Sequence, residues 1–182
     1  MYTFFENEKL INDVLKGIES LIELVGENPK REGLEDTPYR FLNMFTEYGS
    51  GYREDPKEHL KTFFQAPSSN VIVVKDIPFE SICEHHLVRF HGVVHIAYTP
   101  IQYMTGLSKF ARLVDGYSRR LQVQERLTYQ IGSSITEVLA PESCSVKIEA
   151  SHTCMTARGA KAHGSKTITY YNEGKEELIS FL

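Results

Sequence analysis

The sequence predicts an α+β domain built on antiparallel strand pairs. Three observations carry that prediction. Apolar residues recur at spacings of three and four near the start of the chain and again between residues 108 and 139. β-Branched or alternating runs of strand length fall in pairs before and after those central helices. The resulting order is helices, two strands, two long helices, two strands, without the strict alternation that builds a parallel sheet. Four strands make a small sheet with open edges, so pairing with other copies is a natural way to finish it.

The elements follow in order. Residues 5–25 carry Leu10, Ile11, Val14, Leu15, Ile18, Leu21, Ile22 and Val25 at helical spacing, and Gly26 is a stop signal. Glu27 to Glu35 is polar, holds Pro29 and Gly33, and reads as a loop. Thr37-Pro38 is an N-cap followed by proline at the first helical position. The helix it opens runs to Tyr48, with Phe41, Leu42, Phe45 and Tyr48 inward. Asp55-Pro56 opens a short third helix. Val71 to Val74 marks a strand over 70–76, and a second strand runs from Val93 to Thr99 before Pro100. Ser108 to Arg120 and Gln122 to Leu139 are helices, the latter striped by Val123, Leu127, Ile131, Ile135 and Val138. Cys144 to Ser151 alternates as a strand, 166–171 is a fourth, and 176–182 is a short terminal helix. The organisation expected is an N-terminal helical region, residues 1–65, and one structural unit over 66–182, with no repeat or low-complexity linker.

Composition narrows the functional classes. With 182 residues, 41% of them hydrophobic and 24% charged, the chain is long enough for one domain with a sizeable core. A net charge of −4 argues against general nucleic-acid binding, which needs an excess of basic charge. Glu6, Glu8 and Lys9 break any secretory leader, and no apolar run reaches membrane-spanning length, so a cytoplasmic location is expected. Three cysteines, an odd count, fit metal ligation in a reducing compartment better than a disulfide framework.

The stretch Cys83-Glu84-His85-His86 carries the clearest chemistry. Cys83 and His86 are three apart, so one helical turn or tight turn puts both on one face and leaves His85 free. Far downstream lies His152-Thr153-Cys154. On a strand, positions i and i+2 point the same way, so Cys154 would complete a Cys-His-Cys set with His152 beside it. Two thiolates and one imidazole suit zinc, and three protein ligands leave a position open. The plainer alternative is buried cysteines and surface histidines. His85 and His152 are candidates for proton transfer, with metal ligation in place of His86, or a bystander place at the surface, as the alternatives. Cys144, His91, His95 and His163 have no such partners and read as structural, and His59 as surface.

Two further stretches suggest ligand contacts. Gly106-Leu107-Ser108-Lys109-Phe110-Ala111-Arg112 opens a helix, whose first N–H groups and positive dipole end favour an anion. Lys109 and Arg112 share a face there, and Arg158 follows Cys154 closely. The spacing is not that of a Walker loop. The plain alternative is a capped helix with a solvated basic face. In Gln122-Val123-Gln124-Glu125-Arg126 the carboxylate of Glu125 could accept from the paired N–H groups on a guanine edge, and a solvated first turn is the bland alternative.

With these motifs together, the sequence resembles GTP cyclohydrolase I across roughly residues 10–170, collinearly. The resemblance rests on Ser81-Ile82-Cys83-Glu84-His85-His86-Leu87, His95-Ile96-Ala97-Tyr98, Gly106-Leu107-Ser108-Lys109, Arg120-Leu121-Gln122-Val123-Gln124-Glu125-Arg126, and His152-Thr153-Cys154-Met155-Thr156 with Arg158-Gly159. It implies a tunnelling fold (T-fold): an antiparallel sheet with helices on one side, closed into an oligomeric barrel. It also implies a homodecamer with active sites at subunit interfaces. It implies zinc held by Cys83, His86 and Cys154. Guanine falls to Glu125 with help from Gln124, and the triphosphate to Lys109, Arg112 and Arg158. The resemblance makes His85 and His152 the acid–base pair and adds Ser108. The implied reaction opens the imidazole ring of GTP at C8, releases formate, and rearranges the ribose in Amadori fashion to 7,8-dihydroneopterin triphosphate. Other T-fold pterin or deazapurine enzymes and a non-catalytic nucleotide sensor are the alternatives. A three-histidine zinc site is opposed by the cysteines here. Arg89 stands where the family usually has proline, and the end of the chain after Tyr170 departs from the family pattern.

Overall fold

The computed structural model describes residues 7–182. The chain forms two compact units, one ending at Glu47 and one spanning Tyr48–Leu182. Among the described residues, no helix is long and apolar enough to cross a membrane.

The first unit is helical. Helix α1, Glu8–Leu24, is capped by Asn7, whose Oδ1 accepts from the Leu10 N–H at 3.1 Å. Its predicted first residue, Phe5, lies outside the described residues. Helix α2, Thr37–Tyr48, begins at the predicted Thr-Pro signal. Both helices form where the periodicity places them, and of the predicted apolar stripes Ile11, Ile18, Ile22, Leu42, Phe45 and Tyr48 are half-buried. Leu15 and Pro38 are the buried residues of the pair, while Leu10, Leu21, Leu24, Phe41 and Met44 are exposed.

The second unit is a five-stranded sheet with two long helices on one face. Strands β1 (Phe63–Gln65) and β4 (Tyr103–Thr105) pair as a separate small ribbon. The main sheet takes the order β5-β2-β3-β6-β7, with β2 at Ile72–Cys83, β3 at Val88–Thr99, β5 at Leu121–Gln122, β6 at Ser143–His152 and β7 at Thr167–Glu173. Its long pairings are antiparallel, and β2–β5 is a short parallel contact. The first two long strands are longer than their β-branched runs suggest. They continue through Pro78 into one hairpin, from Ile72↔Tyr98 to Cys83↔Val88, with a bulge between Val74 and Ile77. Proline is tolerated in a strand where its nitrogen faces away from the partner. Beside Pro78 the other flank of β2 is open, because β5 reaches only Ile82 and Cys83. The bulge holds Asp76 at φ 58°, a left-handed conformation that aspartate tolerates better than most residues.

Helices α3 (Leu107–Ser118) and α4 (Gln124–Leu139) supply the second layer. Phe110, Leu113 and Val114 of α3 and Leu127, Ile131 and Ile135 of α4 are fully buried against Phe90, Val94, Ile96, Val146 and Ile148. Burying each such side chain stabilises the fold by roughly 1.5–3 kcal/mol. Gly132 lets α4 approach β7: a Cβ there would lie 2.2 Å from the Tyr171 ring. The short terminal helix expected over 176–182 is a 3-10 helix, Glu176–Phe181.

Candidate active site

Four residues, Glu84 to Leu87, join β2 to β3. The Cys83 carbonyl accepts from the His86 N–H at 3.3 Å and the Leu87 N–H at 2.8 Å. Leu87 adopts φ 54°, the left-handed conformation that returns the chain to β3. Cys83 and His86 therefore share a tight turn, the second of the two geometries their spacing allowed.

Cys154 arrives by a route the sequence did not indicate. Strand β6 ends at His152, where its pairing with Phe90 of β3 also ends. The chain then folds into one helical turn, α5 (Thr153–Thr156), rather than continuing extended. Thr156 Oγ1 donates to the His152 carbonyl at 3.3 Å, and the Ala157 N–H to the Thr153 carbonyl at 2.9 Å. The i, i+2 strand geometry expected of His152 and Cys154 is thus replaced by a strand-to-helix corner.

That corner still carries Cys154 to the hairpin. One donor atom each from Cys83, His86 and Cys154 lies within 4.8 Å of the others. Zinc sits ~2.3 Å from sulfur and ~2.0–2.1 Å from imidazole nitrogen, so three donors this close fit around one ion after small adjustment. All three cysteines are free thiols. Burial, and then the adjoining Cys83 thiol, raises the Cys154 pKa in the metal-free chain, while Arg158 opposes the rise. Cys144 is buried elsewhere, and burial pushes its thiol up to about 12, an inert structural cysteine.

The two further histidines differ sharply. His152 is clamped. Its ring stacks on Phe90 with centroids 4.6 Å apart and planes 5° from parallel. Its Nε2 lies 2.8 Å from Gln124 Oε1. Gln124 is buried, and its amide nitrogen is shared among the Ile148 carbonyl, the Thr167 carbonyl and Thr169 Oγ1 at 3.0–3.1 Å. With that nitrogen donating, Oε1 is the acceptor and His152 Nε2 the donor. Burial lowers the His152 pKa, and the negative charge of Glu125 works against that shift. His85, by contrast, is exposed, 4.0 Å from Glu84 Oε1 and edge-on to His86.

Glu125 and Arg158 are both exposed, the one interacting with His152 and the other with Cys154. Ser108, Lys109 and Arg112 lie on the first turns of α3, which the chain enters only after β3 has run from Val88, beside the metal turn, to Thr99 at the far end of the hairpin. Among the described residues their side chains make no hydrogen bond or ion pair. Gly106 caps α3 without a side-chain hydrogen bond and takes the Lys109 N–H on its carbonyl at 2.8 Å, which leaves the Leu107 and Ser108 N–H groups open to an anion. Arg89 is tied to Glu80 at 2.8 Å. It neighbours Ile82 across the hairpin, so by strand alternation it faces away from Cys83.

Three residues around the site were not singled out from sequence: Phe90, Glu84 and Arg126. Glu84 lies inside the metal motif and Arg126 beside Glu125, so adjacency was the available signal. Nothing local marks Phe90, whose role depends on its register with His152.

Comparison with known proteins gives the family. A sequence profile described as GTP cyclohydrolase I matches residues 14–178. A GTP cyclohydrolase 1 of Streptococcus mutans is 50% identical over 188 aligned positions, covering 97% of this chain and 98% of that one. One from Clostridium kluyveri is 47% identical, covering 90% and 88%. One from Bacillus mycoides is 45% identical, covering 94% and 96%. Among solved structures, the apo archaeosine synthase QueF-Like is similar at a TM-score of 0.50 and 18% identity, covering 61% of this chain and 98% of that one, a likeness of fold. The curled antiparallel sheet with helices on one face is the T-fold, and with half its residues shared with such relatives along nearly its whole length, the chain belongs to the GTP cyclohydrolase I family.

Proposed function

We propose that the chain hydrolyses GTP as a zinc-dependent GTP cyclohydrolase, opening the imidazole ring at C8, releasing formate and yielding 7,8-dihydroneopterin triphosphate. The observation that carries this is the convergence of Cys83, His86 and Cys154, with His152 and Glu125 close by. The two thiols and one imidazole are the donor set of a catalytic rather than a four-ligand structural zinc site. When bound, zinc supplies Lewis acidity and makes water nucleophilic near neutral pH.

The chain's own residues do the rest. Glu125 accepts from the N1–H and N2–H edge of guanine. His152, whose Nε2–H is held by Gln124, supplies purine N7 from a second proton on its Nδ1, a charged form that the Glu125 carboxylate favours, and a protonated N7 makes C8 more electrophilic. The Phe90 stack and the Gln124 hydrogen bond keep its ring in place, so Gln124, buried and with its polar atoms committed within the fold, contributes through His152 rather than at the guanine as the resemblance implied. His85, exposed at the hairpin, serves the later proton transfers with Ser108. Lys109, Arg112 and Arg158 bind the triphosphate and position the purine. The separation of α3 from the metal corner supports a site shared between copies in a homo-oligomer, a homodecamer in this proposal. The proposed catalytic unit is 66–182, acting in the cytoplasm with neither nucleic acid nor membrane as partner.

The test is direct. Purified, zinc-loaded protein incubated with GTP should release formate and give a product that fluoresces after oxidation. A protein that holds zinc and binds GTP yet releases no formate is a sensor, and the proposal fails.

A further inference from the structure

Glu84 sits between the metal ligands Cys83 and His86, yet its carboxylate turns away to the guanidinium of Arg126, on the first turn of α4. Arg126 is held from two other sides. Its Nε donates to Gln122 Oε1 at 3.0 Å, and its Nη2 lies 3.5 Å from the Leu121 carbonyl. Gln122 is buried and anchored in turn, donating to the Tyr117 carbonyl at 2.9 Å and to Gln130 Oε1 at 2.8 Å. The backbone repeats the link: the Glu84 N–H donates to the Gln122 carbonyl at 3.0 Å, next to the pairing of Cys83 with Gln122. The hairpin that carries two metal ligands is therefore joined to the segment that carries Glu125 by one short polar network.

A half-exposed ion pair contributes little to overall stability, so its value is geometric. We infer that Glu84 and Arg126 are a positioning pair: they fix the distance between the metal corner and the guanine anchor, Glu125, and so the placement of purine C8 over the metal. This inference rests on the function proposed above. Misplacing reacting groups by about 1 Å costs on the order of 100-fold in rate while leaving the binding contacts in place.

The experiment is a double-mutant cycle with Glu84→Ala, Arg126→Ala and the double variant, all zinc-loaded. Each single variant should lose about 10- to 100-fold in kcat with KM for GTP within about threefold of wild type. The double variant should fall no further than the worse single one, because the two act as a unit. Zinc affinity, by chelator competition, and GTP affinity of the metal-free protein should each stay within about threefold of wild type. A Glu84→Ala variant with kcat within about twofold of wild type overturns the pairing, as do losses that multiply in the double variant. So does a rate loss matched by loosened zinc or GTP. If an alanine variant does not fold, Glu84→Gln and Arg126→Lys complete the same cycle with the same criteria. A wild-type chain that releases no formate refutes the reaction and takes the positioning role with it. An active wild type beside unaffected variants refutes the positioning role alone.

Discussion

The two ends of the proposed substrate site are built differently. At the metal end, one chain supplies three donors held together, an imidazole clamped by Phe90 and Gln124, and a nearby carboxylate. At the anion end, α3 offers Lys109, Arg112 and unpaired helix N–H groups to open space. A finished corner and an unfinished one in the same unit teach that the chain carries both halves of a site without bringing them together. The exposed apolar side chains of α1 and α2, Leu10, Leu21 and Phe41 among them, repeat the lesson on a larger scale.

The largest effect expected is at the finished corner. Cys154→Ala or His86→Ala should lose zinc and reduce formate release by on the order of 10³-fold or more, with metal content and turnover measured on the same sample. Retained zinc with normal activity in either variant would remove the corner from the mechanism.

The sharpest probe of the contrast is complementation. A Cys154→Ala chain and a chain carrying Lys109→Ala with Arg112→Ala should each be impaired alone. After subunit exchange, sites that draw an intact metal corner from one chain and an intact α3 from another should recover, up to about a quarter of them by random mixing. Mixtures no more active than their components would mean that each chain completes its own site.

A smaller effect concerns a buried imidazole remote from both ends. His95 Nδ1 accepts from the Asp76 N–H at 3.3 Å, and burial lowers its pKa, against the pull of Asp76. Unfolded, it takes up a proton near its ordinary value of about 6.5, and folded it resists. Its contribution is therefore complete above that value and is lost as pH falls toward the lowered folded pKa. Replacing His95 by Gln should flatten the fall in thermal midpoint below about pH 6.5, relative to wild type. Equal slopes in the two proteins would refute this.

The smallest effect is expected at Arg89. It faces away from the metal corner, so Arg89→Ala should leave kcat/KM within about twofold and alter stability by about 0–1 kcal/mol through the lost Glu80 pair. A large change in turnover would show that the hairpin is sensitive to its far face.

Much of this was legible before the structure. Helix α4 appears where Leu127, Ile131 and Ile135 predict it, because a long apolar stripe at one period has few competing solutions. The spacing of Cys83, His86 and Cys154 was enough to propose a common ion, although the local conformation at Cys154 was misjudged. A strand signal up to Ser151 says nothing about where pairing with β3 runs out. The short strands β1, β4 and β5 leave almost no periodic trace in two or three residues. The hairpin through Pro78 escaped because proline reads as a strand breaker unless the neighbouring flank is known to be empty. The clamp on His152 depends on the β3–β6 register, a long-range property that no local window contains.

Pro78 has a consequence beyond its own strand. An unpaired edge ordinarily invites any extended chain to add on through its row of backbone donors, the first step toward fibres. A proline interrupts that row midway along β2, so a stray segment finds no continuous template there. Whatever joins this margin must be shaped around the gap, which favours selective assembly over indiscriminate growth and helps keep a chain with much greasy surface from clumping.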